Sequence, residues 1–147
     1  MKKLSSTTPI HPIGIVAEKL GISVETIRLY ERSSLILTTK TEGNQRLFSQ
    51  SDIERIECIR RAINEEKISI AGIRRMFSLI PCWDIVGCSE GHRKKCRAYL
   101  EHSEPCWSFD HTKNPCATLD CRDCEVYKMS SDCHKIKQSI INLSRLR

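Results

Sequence analysis

The sequence predicts a mainly α-helical chain built in two chemically different parts: short helices with a β-hairpin first, then a small irregular, metal-stabilised cysteine-rich module and a C-terminal helix. Three observations lead there. Apolar residues recur at helical spacing through most of residues 13–80, interrupted once by a stretch of β-favouring residues. Eight of the nine cysteines fall between Cys82 and Cys133, with only Cys58 before them. The cysteine region also repeats itself, since Pro81-Cys82-Trp83 leads to Cys96-Arg97-Ala98-Tyr99 and Pro105-Cys106-Trp107 leads to Cys124-Glu125-Val126-Tyr127. Each copy is too short to bury a core unless something else ties it down. The expected boundaries are 10–80 for the helical domain, 81–129 for the cysteine module and 130–147 for the last helix.

Taken in order, Ile13 to Leu20 reads as a short helix that stops at Gly21, a residue free to take the left-handed conformation. Ser23 offers a hydroxyl to cap a second helix from Val24 to about Arg32. There Val24 and Ile27, with Leu35 beyond, face inward, leaving Glu25, Thr26, Arg28 and Tyr30 outside. Two short helices around a Gly-containing turn make a helix-turn-helix candidate. Residues 38–48 then flank a Gly43-Asn44 turn and read as a hairpin wing. Ser49, with Asp52 three residues on, opens a third helix whose Ile53, Ile56, Ile59 and Ile63 form a buried stripe, while Arg55, Arg60 and Arg61 stay wet and Cys58 is a small buried hydrophobe. Ser69 caps a fourth helix through Ile73 and Phe77, ended by Pro81.

Residues 1–80 carry 13 Lys and Arg against 9 Asp and Glu, and residues 81–147 carry 11 against 9. The mild basic excess sits mostly upstream, a balance compatible with nucleic acid because neutralised phosphates release counterions. Lys2 and Lys3 precede no apolar run, and no segment approaches membrane-spanning length, so the expected location is the cytoplasm, with no membrane partner. In a reducing cytosol a cysteine cluster binds metal or does redox work more readily than it forms structural disulfides.

The order Ile13-Gly14, Ala17, Gly21-Ile22-Ser23 and Thr26-Ile27-Arg28-Leu29-Tyr30-Glu31-Arg32, then Gly43-Asn44-Gln45-Arg46-Leu47-Phe48-Ser49 and Ile68-Ser69-Ile70-Ala71-Gly72-Ile73, resembles the winged helix-turn-helix domain of MerR-type transcriptional regulators. The resemblance covers about residues 12–80. It implies that the second helix enters the major groove, with Arg28 and Tyr30 on phosphates, Glu25 and Thr26 near base edges, and Arg46 of the wing on an adjacent backbone. The side-chain chemistry agrees, because Arg and Tyr reach phosphate oxygens and Glu can accept from a cytosine amino group. On residue type alone, Arg28 could equally pair with Glu25 or Glu31 on a solvated face, and Tyr30 and Phe48 could be core aromatics, the preferred role for Phe48. The resemblance further implies a homodimer on double-stranded promoter DNA, acting with RNA polymerase by distorting the DNA between the promoter elements. Regulators of this type follow the domain with a long dimerising helix, but here Pro81-Cys82-Trp83 stands in its place. A last helix presenting Cys133, Ile136, Ile140 and Leu143 is a substitute for dimer contact or packs within the chain.

Eight cysteines are candidate metal ligands: Cys82, Cys88, Cys96, Cys106, Cys116, Cys121, Cys124 and Cys133. Only Cys121 and Cys124 form a C-x2-C knuckle, whereas a zinc ribbon needs two such pairs to build a tetrahedron. Iron–sulfur clusters accept scattered thiolates because their irons are spread out, and all-cysteine ligation is their norm. The duplicated pattern is also similar to small cysteine-tryptophan modules of anaerobic bacteria. It places Cys82, Cys96, Cys106 and Cys124 in equivalent positions; His92, His102, His111 and His134 could add stray ligands, but with eight cysteines at hand none is required and each is expected to be solvent-exposed. The expected function is a transcription regulator sensing redox state, oxygen or a small molecule through an iron–sulfur cluster. The alternatives are a zinc-binding or zinc-stapled regulator and an electron-transfer component. No catalytic pair or phosphate-binding loop stands in residues 1–80, so an enzyme is not expected.

Overall fold

The computed structural model describes residues 4–111, 115–118 and 120–145, without the side chains of Pro115, Thr118, Cys133, His134 and Ser139. The chain divides into two compact units, Met1–Ile68 and Ser69–Arg147.

In the first unit, strand β1 (His11–Pro12) leads into helices α1 (Ile13–Leu20) and α2 (Val24–Arg32), then β2 (Thr39–Lys40), β3 (Arg46–Phe48) and α3 (Gln50–Asn64). Gly21 ends α1 in the left-handed region at φ 64°, its N–H returning to the carbonyls of Ala17 and Glu18. Ser23 caps α2, its hydroxyl accepting from the Thr26 N–H at 3.1 Å. Ser49 and Asp52 form the full reciprocal capping box of α3, with Ser49 N–H donating to Asp52 Oδ2 at 2.8 Å and Asp52 N–H to Ser49 Oγ at 3.1 Å. The buried apolar core holds Val16, Ile27, Leu35, Phe48 and Ile56. Phe48 is therefore a core aromatic, as preferred.

The wing forms, with β2 antiparallel to β3, Thr39 opposite Leu47 and Lys40 opposite Arg46. Its left-handed residue is Asn44 (φ 64°), not the preceding glycine, in keeping with the tolerance of asparagine for that region. A third strand was not expected. His11 pairs with Phe48 and Pro12 with Leu47, which makes a sheet of order β1-β3-β2.

Three expectations for this unit are corrected. Tyr30 is 5 % exposed and lies in the core, where burial pushes its phenol pKa up. Arg55 is buried as well, because its Nε donates to the Leu35 carbonyl at 3.0 Å, an acceptor twenty residues away that the helix pattern cannot reveal. Cys58 is exposed, since it sits beside the Ile53, Ile56 and Ile59 stripe and not within it.

The second unit begins with Ser69, which caps α4 (Ile70–Ser78) by accepting from Gly72 N–H at 3.0 Å. Short helices follow: α5 (Cys82–Val86), α6 (Glu90–Arg93), α7 (Arg97–Leu100), three 3-10 turns between Cys106 and Asp123, α8 (Glu125–Met129) and α9 (Cys133–Arg145). Aromatic rings tie the pieces together. Trp107 stands 5.5 Å from Phe77 of α4 and 5.1 Å, edge to face, from Tyr127 of α8. Arg74 of α4 pairs with Glu104, and the Ser78 hydroxyl bonds the carbonyls of both Arg75 and His102. In α9, Ile136 and Leu143 are half-buried and Ile140 is 45 % exposed, while the Cys133 side chain lies outside the described residues.

Ser49 is nearly fully buried and holds both halves of a cap, so Ser49→Ala removes a hydroxyl with no water at hand to replace it. We expect a loss of about 1–2 kcal/mol in urea unfolding followed by far-ultraviolet circular dichroism. An unchanged midpoint would show that the box contributes nothing to stability.

Candidate functional site

Two surfaces carry chemistry. The first is the outer face of α2. Arg28 and Glu25 are exposed and 3.9 Å apart, and Glu25 also meets Arg32 at 3.0 Å. Such pairs on a solvated helix are worth a few tenths of a kcal/mol, so both arginines remain available to a phosphate. Arg32 is a cation that the sequence reading did not single out. Its i, i+4 spacing from Arg28 was the signal, since that spacing puts both on one face. Thr26 is half-buried, and its hydroxyl lies 2.8 Å from that of Ser23, so it belongs to the cap as well as to the face.

Arg46 is not a free wing cation. Its Nε donates to Glu31 Oε2 at 2.5 Å, and Glu31 Oε1 accepts from the Thr38 hydroxyl at 3.0 Å. The partly buried carboxylate thus joins the C-terminal end of α2 to both sides of the wing. Four N–H donors of the guanidinium lie beyond the one used here.

The second surface is a cavity in the cysteine unit. Cys82, Cys88, Cys96, Cys106, Cys116, Cys121 and Cys124 all line it. Its volume of about 40 Å³ exceeds what one water needs, so the thiols enclose space and do not simply pack on one another. Trp83, Val86, Ala98, Tyr99, Trp107, Val126 and Tyr127 form the apolar wall; Arg93, His92 and His111 are its polar members, and among the described residues no carboxylate lines it. Arg93 is held in place by the Cys88 carbonyl and by Asp84, each at 3.1 Å. His111 is half-buried and its Nε2 donates to the Cys106 carbonyl at 2.6 Å, which corrects the expectation of a solvent-exposed side chain. His92 and His102 are exposed as expected, and the side chain of His134 lies outside the described residues.

Thiol contacts set the electrostatics. Cys106 donates a hydrogen bond to Cys82, which holds the Cys82 pKa below its ordinary value and pushes that of Cys106 well up; burial raises Cys106 further. Cys88 is raised by burial and by the neighbouring Cys82 and Cys96, while a hydrogen bond with Cys116 works the other way. Cys116 is pushed up to about 11, first by burial and then by Cys88, Cys124, Cys82 and Cys121. Burial and Cys124 raise Cys121. These are thiols crowded into mutual influence: Cys106 favours the Cys82 thiolate, while burial and neighbouring thiols oppose the ionisation of Cys88, Cys106, Cys116 and Cys121.

The donor set is soft and nitrogen-poor, which fits iron–sulfur or zinc chemistry and not an oxygen-seeking ion. Among the described residues no three His, Cys, Asp or Glu side chains converge as ligands of a single metal ion. The cysteines are gathered around a common space instead of a common point.

Comparison with known proteins places the first part of the chain. The sequence model of the MerR HTH family regulatory proteins matches residues 12–80 and ends just before Pro81-Cys82-Trp83. The chain is 36 % identical over 77 residues to the HTH-type transcriptional regulator GlnR of Bacillus anthracis, a match covering 52 % of this chain and 59 % of that protein. It is 32 % identical over 77 residues to the putative heat shock protein HspR of Streptomyces coelicolor, covering 52 % and 51 % of the two chains. It is also 32 % identical over 71 residues to the HTH-type transcriptional regulator ZntR of Escherichia coli K12, covering 48 % and 50 %. The chain thus spans about half the length of the curated relatives it matches. The helix-turn-helix with its Ser23 cap, the wing and the capping box of α3 all lie within the matched segment. Residues 12–80 are a helix-turn-helix domain of the MerR family.

Proposed function

We propose that this protein is a DNA-binding transcription regulator of the MerR type that senses redox state, oxygen or a related small molecule through a cysteine-ligated iron–sulfur cluster. The observation that carries the sensing part is the cavity itself, lined by Cys82 of α5, Cys88 between α5 and α6, Cys96 and Cys124 at the N-caps of α7 and α8, and Cys106, Cys116 and Cys121 of the three 3-10 turns. A cluster distributes its ligation sites over several ångströms and takes thiolates, so gathered but unconverged cysteines suit it better than they suit one tetrahedral ion. The aromatic wall would limit solvent access, which is one of the levers that set a cluster's potential. When bound, the cluster supplies reversible one-electron chemistry. The chain's own part is to hold the ligands, exclude water and set the local charge, with Arg93 as the cation on the wall.

On DNA, Arg28 and Arg32 would meet phosphates while Glu25 and Thr26 approach base edges. The remaining donors of Arg46 would reach the backbone beside the wing. The burial of Tyr30 removes its ring from the exposed face. In a homodimer on promoter DNA, with RNA polymerase as the reader, the state of the cavity would bias how the two domains deform the DNA between their sites.

Arg28→Ala should weaken binding to an operator selected from random-sequence duplex, and to random duplex alike, by ~1–3 kcal/mol, and lower the salt slope by about one. Substitutions at Glu25 should change which sequences are selected instead. Unaltered affinity and salt dependence for Arg28→Ala would remove α2 from the interface.

Protein isolated without oxygen should be coloured and contain iron and acid-labile sulfide. Cys58→Ser should keep both, because Cys58 stands on α3, in the first unit, and is not among the cavity's lining residues. Colourless protein stoichiometrically loaded with zinc would replace the iron–sulfur reading with a zinc one and leave the DNA reading in place.

A further inference from the structure

The two sequence copies have the same local structure. In each, a proline precedes a cysteine that opens a helical turn, Pro81 before Cys82 of α5 and Pro105 before Cys106 of the first 3-10 turn. A second cysteine in extended conformation then caps a short helix, Cys96 for α7 and Cys124 for α8. The third residue after that cysteine is a tyrosine packed edge to face on the tryptophan of its own copy. Trp83 and Tyr99 lie 5.0 Å apart at 89°, and Trp107 and Tyr127 lie 5.1 Å apart at 87°.

Counting back from the capping cysteine shows another equivalence, because Cys88 precedes Cys96 by eight residues and Cys116 precedes Cys124 by eight. The loops before them differ in length, which hides the match when counting forward. Three pairs of equivalent cysteines result, and all six line the one cavity. Within that cavity Cys82 and Cys106, and likewise Cys88 and Cys116, lie near enough to influence each other's ionisation. Equivalent residues of two copies lining one space is what two like surfaces facing across a local two-fold relation produce. Cys121 breaks the pattern. Its counterpart, three residues before Cys96, is Arg93.

We propose that the two copies face each other and hold one metal centre between them, drawing its ligands as equivalent pairs, with Cys82 and Cys106 as one ligand pair and Cys121 outside the set. This deepens the sensing reading above and rests on the presence of a cysteine-ligated centre. Four thiolates are the usual requirement of a cluster, so two of the three pairs suffice.

The test uses the full chain, purified without oxygen as wild type and as single Cys→Ser variants at 82, 88, 96, 106, 116, 121 and 124. Iron, sulfide, zinc and visible absorption are measured per chain. Binding to random-sequence duplex, a property of the first unit, reports that each variant is folded there. C82S and C106S should both lose nearly all of the iron, a second equivalent pair should do the same, and the third pair and C121S should keep it. A variant retaining half of the iron and absorption would overturn the proposal, because it would mean two centres. So would a split pair, iron loss in C121S, or indiscriminate loss in all seven. Wild-type protein that holds zinc and no iron would sink the cluster reading alone, and the pairing would then be scored on zinc in the same variants.

Discussion

Seven thiols facing one small space is the constraint from which the rest of the second unit follows. At Cys88, Cys106, Cys116 and Cys121 burial and the neighbouring thiols oppose ionisation, so the unaided chain keeps these four groups protonated. A positive centre reverses that balance, because metal ligation draws protons off the thiols it uses and couples its binding free energy to folding. The short helices α5 to α8 have little else to hold them. Their four- and five-residue lengths fall far below what a helix needs to persist alone, and two tryptophan–tyrosine contacts supply most of their described aromatic packing.

The first unit follows a different logic, one that local sequence expresses well. Gly21, Ser23, Ser49 and Asp52 specify where helices begin and end through their own backbone and side-chain geometry, so each was legible from its immediate neighbours. What was not legible depended on partners far along the chain. Arg55 has the composition of a solvent residue and is drawn inside by the Leu35 carbonyl. Strand β1 is two residues long, too short for any alternation to register, and exists because β3 offers it an edge. Tyr30 and Cys58 were misplaced for a related reason, since an amphipathic pattern fixes the centre of a buried stripe better than its flanks.

The cysteine region shows the same division. Composition and the P-C-W repeat identified the candidate ligands, and seven of the eight indeed line one cavity, while the side chain of Cys133 lies outside the described residues. Their mutual arrangement was not readable, because the cavity gathers residues up to 42 positions apart, Cys82 to Cys124, through irregular backbone. The same irregularity blurs the end of the first domain. The family match runs to residue 80, yet α4 packs through Phe77 and Arg74 within the second compact unit.

The chain has two tryptophans, and both stand on the wall of the cysteine cavity. Tryptophan emission, excited at the red edge of the ultraviolet band where tyrosine does not absorb, therefore originates at the cavity, with none from the first unit. The chain is in effect labelled at one place, so that anything entering the cavity would be followed by light emission in the unmodified protein.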